Sequence, residues 1–124
     1  MADNKDINIQ DKLSLILDAI KEKKGKQIVS INLTKVHNSI SDYFVICHGE
    51  STTQVDAIAD AIQNKVRKEA GVKAHHVEGK DNSQWVLIDY FDTLVHIFLE
   101  EKRSFFNLEE LWADGEIEHI EDEK

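Results

Sequence analysis

The sequence predicts an α/β (α+β) domain, a mixed sheet of about five strands with helices packed on it. Two stretches, residues 9–24 and 51–71, carry apolar residues every three or four positions, the pattern of helices with one buried face. Between and after them lie short runs that either alternate apolar with polar residues or are apolar throughout, the two patterns of strands. The order α, β, β, α, β, β, β, α interleaves the two kinds, and 124 residues leave no room for a second domain.

Each element has its own justification. In residues 9–24, Ile9, Leu13, Ile16, Leu17 and Ile20 form one stripe. Lys21, Lys23 and Lys24 suit the negative end of the helix dipole, and Gly25 offers a stop. Residues 27–33 set Val29, Ile31 and Leu33 against Ser30 and Asn32, as in a strand. A polar stretch, 34–42, turns the chain. Residues 43–47 (YFVIC) are nearly all apolar, as expected of a central strand covered on both faces. Ser51 and Gln54 form a capping box in which Ser51 accepts from the Gln54 amide and Gln54 reaches back. The helix they open buries Val55, Ile58, Ala59, Ile62 and Val66, and Gly71 stands where a C-cap glycine belongs. A short strand at 72–77 and a turn at 79–83 follow. Strands at 84–90 and 93–99, joined tightly at Phe91 and Asp92, predict an antiparallel hairpin. The strand–helix–strand unit 43–77 is expected to cross over right-handedly. A final helix covers about 104–112.

These elements make one domain over residues 1–112. Residues 113–124, with six acids and one lysine from position 114 on, are expected to be a solvated, mobile tail. Apolar residues are 41% of the chain, charged residues 31%, and the formal net charge is −9. That balance argues against nonspecific nucleic-acid binding, which needs clustered Lys and Arg, and favours a partner with a basic patch. No apolar run approaches a membrane span. The polar, acidic start MADNKDINIQ is neither a secretory signal nor an Arg-rich transit peptide, and the single Cys47 excludes an intramolecular disulfide. A reducing cytoplasm is the expected location.

Candidate chemistry is sparse. His48-Gly49-Glu50-Ser51 joins a strand to a helix N-terminus, where anions often bind. It has one glycine, no following lysine, and an acid that would repel phosphate, so a capped turn is the better reading. Asp89 and Asp92 resemble a metal-binding pair, but three-residue spacing puts them on opposite faces of a strand. The six histidines form no ligand pattern, and His96, inside an apolar strand, reads as a hydrogen-bonded core residue. Cys47 has no evident base and reads as an inert buried thiol. What remains is a surface. Trp85 opens its strand beside polar Ser83 and Gln84. Phe105, Phe106 and Trp112 follow, mixed with Arg103, Glu109 and Glu110, the residue types interfaces favour.

Two segments, DYFVICHGESTTQVDAIAD (42–60) and WVLIDYFDTLVHIFLEEKRSFFNLEELW (85–112), resemble the ribosomal silencing factor family, also called Iojap-like. The positions that carry the likeness are Asp42 to Ile46, Gly49, Ser51 and Gln54, then Glu78 and Gly79, Trp85 and Asp89. Val95, His96 and Phe98 follow, then Arg103, Phe106, Leu108, Glu109, Leu111 and Trp112. The chain departs from the pattern at Thr53, where a basic residue is usual, at Phe91, where a glycine is usual, and at Phe106, where a tyrosine is usual.

The resemblance implies a fold related to nucleotidyltransferases without their catalytic residues, and a non-enzymatic protein with no cofactor and no metal. It implies a translation regulator that binds the large ribosomal subunit through its protein L-fourteen. There it would block joining of the small subunit, lowering translation under nutrient limitation. A homodimer is also implied. On family position and residue type, the expected contacts are Trp85, Arg103 and Phe106, with Glu100, Glu101 and Glu109 supplying charge complementarity. The alternative, a nucleotidyltransferase-like nucleotide-binding enzyme, would need a phosphate turn at 49–51 and a metal on Asp89.

Overall fold

The computed structural model of the chain describes residues 8–121; the first seven residues of the expected domain and the last three of the expected tail lie outside it. Ten elements follow in order: α1 (Ile9–Glu22), β1 (Lys26–Asn32), β2 (Tyr43–Gly49), α2 (Thr52–Ala70), β3 (His76–Glu78), β4 (Trp85–Asp89), β5 (Thr93–Leu99), α3 (Glu100–Phe106), α4 (Leu108–Leu111) and β6 (Glu116–Ile120). They build one six-stranded sheet in the order β3-β4-β5-β2-β1-β6. β2 and β5 run parallel at its centre, and the other neighbouring pairs are antiparallel. The mixed α+β architecture is thus as the sequence predicts, with one strand more than expected.

That extra strand corrects the reading of the tail. Residues 116–120 are not solvated coil; they pair with β1 from Glu116↔Asn32 to Ile120↔Ile28. Gly115 lets the chain reach the sheet edge: a Cβ there would lie 2.6 Å from Ile31 Cγ2 and 2.8 Å from Leu33 Cδ2. Two smaller corrections concern helices. The single helix expected at 104–112 is two short ones, broken at Asn107, whose φ of 47° is left-handed. α1 stops at Glu22, and the left-handed residue after it is Lys24, not Gly25. Gly25 is instead needed for close approach, since a Cβ would sit 2.4 Å from Ile20 Cγ2.

The two faces of the sheet are covered unequally. α1 and α2 lie on one face, where Ile16, Ile20, Ile58, Ile62 and Val66 pack with Val45, Cys47, Val86, Ile88, Val95 and Ile97. The opposite face carries Val29, Ile31, Leu33, Phe44, Ile46, Leu94 and Phe98. Its cover is thinner: Val36 from the 33–42 connection, Leu108 and Trp112, with Trp85 and Leu87 only half-buried. β2 and β5 are buried on both sides, which explains their near-continuous apolar sequences.

Gln54 ties the helical layer together. Ser51 Oγ accepts from the Gln54 amide at 3.1 Å, as the capping box requires. The Gln54 side chain reaches back one residue further than expected, accepting from the Glu50 amide at 2.8 Å. Its Nε2 also donates to the carbonyls of Lys23 (3.1 Å) and Lys24 (3.0 Å), joining the end of α1 to the start of α2.

Candidate functional site

The open face of the sheet ends in a cluster of rings. Period-two alternation on β4 and β5 turns Trp85, Leu87, His96 and Phe98 to this face, and the hairpin register sets Trp85 opposite Phe98 and Leu87 opposite His96. The Trp85 indole stacks on Phe98 at 5.0 Å between ring centroids and meets Phe106 at 4.5 Å. Phe105 sits edge-on to Phe106 at 5.1 Å. Phe105 is 78% exposed, Leu111 70% and Phe106 40%, so the cluster rises from a buried base to a solvent-facing shelf. Gly79 supports it from beside: φ is +90°, and a Cβ would strike the Trp85 carbonyl oxygen at 2.0 Å. The 79–84 turn therefore lies close against Trp85 and walls a groove with Lys102 and Phe106.

Beneath the shelf His96 is 5% exposed and is the core histidine the sequence predicts. Trp85 Nε1–H donates to His96 Nδ1 at 3.2 Å, so the Nε2–H tautomer is the one that fits. Burial pushes its pKa down to about 4, keeping the ring neutral at ordinary pH. His96 Nε2 has no hydrogen-bond partner among the described residues. Neutral imidazole and indole together fix the ring plane of Trp85.

Arg103 stands elsewhere than the sequence reading expects. It is 6% exposed, not a surface contact. Its Nε donates to Glu109 Oε1 at 3.2 Å and its NH2 to Oε2 at 3.0 Å, a two-point fork. NH1 lies 3.4 Å from the Lys26 carbonyl and 3.1 Å from His48 Nδ1. Six residues apart in sequence, Arg103 and Glu109 meet because the left-handed Asn107 folds α4 back on α3. Glu109 is half-buried in this pair, so neither residue of it is a free contact group. Glu100 and Glu101 occupy the first turn of α3 and are exposed, as are Glu110 and Phe105.

Of the expected contacts, then, Trp85 and Phe106 come together, Glu100 and Glu101 lie on the helix that bears Phe106, and Arg103 and Glu109 turn inward. Phe105 and Leu111 belong to the shelf although the sequence reading did not single them out as contacts. Helical spacing sends Phe105 outward only once Arg103 is known to face inward, so the sequence alone carried no signal for it.

The side chains at the turn and hairpin that the nucleotidyltransferase-like alternative would use make local bonds. The Ser51 and Gln54 side chains satisfy the amides of Gln54 and Glu50 at the start of α2. Asp89 Oδ1 accepts from the Phe91 amide at 2.7 Å, which lets Phe91 take its φ of +71° where the turn lacks a glycine. Asp92 pairs with Lys12 at 2.6 Å and accepts from Thr93 Oγ1 at 3.1 Å. Both carboxylates hold the hairpin turn in place. Among the described residues, no three of His, Cys, Asp or Glu converge as a metal cluster requires. Among them also, no helix is long and apolar enough to cross a membrane.

Residues 6–124 match a family model described as ribosomal silencing factor during starvation, RsfS. A curated ribosomal silencing factor from Halalkalibacterium halodurans is 40% identical over 112 residues, covering 90% of this chain and 94% of that protein. One from Bacillus subtilis is 35% identical, covering 93% and 96%. Among solved structures, a protein from Chromobacterium violaceum superposes with a TM-score of 0.81 at 34% identity, over 86% of this chain and 88% of that one. The family match runs through β6. With a shared fold, matching sequence over nearly its whole length and the rings of Trp85, His96 and Phe98 set on one sheet face, the chain belongs to the ribosomal silencing factor family.

Proposed function

We propose that this protein is a non-catalytic translation regulator that docks on the large ribosomal subunit and blocks joining of the small subunit. Its receptor on that subunit is protein L-fourteen, and its setting is the cytoplasm under nutrient limitation. The observation that carries this reading is the exposed apolar shelf of Phe105, Phe106 and Leu111 beside half-buried Trp85, in a chain of this family. Rings rising from a buried base to solvent are the type of anchor that dominates protein interfaces. Exposed Glu100, Glu101 and Glu110 flank them, and the whole chain is acidic, which suits a basic ribosomal surface.

The mechanism requires only affinity and bulk. A standard interface covers about 800 Å² per partner, and a domain of this length can supply that from one face. Once seated on the joining surface, the domain occupies volume that the small subunit needs. A homodimer belongs to the same proposal, with the exposed rings covered by a second copy when no ribosome is present; equilibrium sedimentation of the free protein reads it.

Binding is tested by sedimenting purified large subunits with the wild type and with Phe106→Ala and Phe105→Ala. Retention of the wild type and loss of both variants supports the reading, and equal retention of all three contradicts the shelf as the docking surface. A thermal-shift series with nucleotides and magnesium checks the enzymatic alternative. A concentration-dependent rise in melting temperature would favour it.

A further inference from the structure

We infer that Arg103 is a positioning residue for docking: its fork on Glu109, seated against the Lys26 carbonyl and His48, fixes α4 on α3 and so holds Phe106 against Trp85. The inference rests on the docking reading above and names the device that makes the shelf rigid.

The elbow needs such a device. α3 has seven residues and α4 four, far short of the roughly 12 to 15 at which an isolated helix becomes even marginally stable. They meet at Asn107, a non-glycine residue in the left-handed region. Leu108 and Trp112 anchor the far side of the elbow on the sheet, Trp112 edge-on to Phe44 at 5.5 Å. Phe106 lies on the near side, three residues from Arg103 and three from Glu109. The guanidinium reaches three parts of the fold at once: α4 through Glu109, the start of β1 through Lys26, and β2 through His48. Lysine has the charge but not the geometry, since one ammonium cannot reproduce two parallel bonds to a carboxylate plus a third direction toward the sheet. A partly buried ion pair is weak support for stability but can select one arrangement among several, and here the arrangement selected is that of an exposed ring.

The test is a double-mutant cycle in the full chain, measuring affinity for purified large subunits. Arg103→Gln and Phe106→Ala are each expected to weaken binding about tenfold or more. Together they are expected to be no worse than the weaker single variant by more than about twofold, because Arg103 acts through Phe106. Multiplying losses would overturn the inference, since Arg103 would then act independently of the shelf. Full affinity in Arg103→Lys would also overturn it, by showing that charge alone suffices. If Arg103→Gln does not fold, Glu109→Gln runs the same cycle, because it keeps one acceptor at a partly exposed position. A second readout needs no ribosome: in a Trp112→Phe background, the near-ultraviolet dichroism of Trp85 should change alike in Arg103→Gln and Phe106→Ala. An unchanged Trp85 signal in Arg103→Gln overturns the clasp. A changed signal in Arg103→Gln, in a protein whose wild type does not bind large subunits, upholds the clasp and overturns the docking reading.

Discussion

The indole of Trp85 rests on Phe98, touches Phe106 and donates its N–H to His96. Half-buried, Trp85 serves both as an anchor and as part of the core, so truncation acts on binding and on stability. Truncation is expected to cost about 2 kcal/mol or more of subunit binding and, through the lost stack and orphaned His96, about 1 to 3 kcal/mol of stability. Urea denaturation and subunit sedimentation on the same variant separate the two. His96 gives a pH signature. Its folded pKa is pushed down to about 4 by burial, below the usual 6.5. Between those values the unfolded chain binds the extra proton, so stability falls as pH drops from 6.5 to 4, by up to on the order of 3 kcal/mol, and is unaffected by this group above 6.5. His96→Gln keeps an acceptor for the indole and cannot titrate there. Its urea midpoint should lose less than the wild type's over the same pH range.

At the scale of elements, what the sequence revealed depended on how regular the local pattern was. α2 was legible in full because a capping box, a five-residue stripe and a terminal glycine all agree. The β4–β5 hairpin was legible from its two-residue connection, although Phe91 takes the left-handed turn position that a glycine would ordinarily fill. β6 was hidden. Its two isoleucines, Ile117 and Ile120, are three apart, so they face opposite sides of the sheet and leave no alternation to read. The acids around them look like tail, yet on an edge strand they serve to discourage pairing with another sheet. Gly115→Ala tests that β6 is seated as described: overpacking against Ile31 and Leu33 should cost about 1 to 3 kcal/mol in a denaturation midpoint. The α3–α4 elbow was half legible. Its rings were visible by type, but the inward turn of Arg103 depends on Asn107 adopting a left-handed conformation, and nothing in the local pattern demands that.

For the whole molecule, the unequal cover of the sheet is the feature that matters. Two long helices close one face, while two short ones and a few rings close part of the other. The thinly covered end is where the shelf emerges, on an acidic domain whose carboxylates near the hairpin are committed to holding the turn. The proposed binding and occlusion need nothing more. The measurement that tests this most directly is sedimentation of the protein with purified large subunits, alone and after small subunits have been added first. The account predicts that the protein travels with free large subunits and is absent from preformed joined ribosomes, because the two compete for one surface. Equal binding to both particles would contradict it.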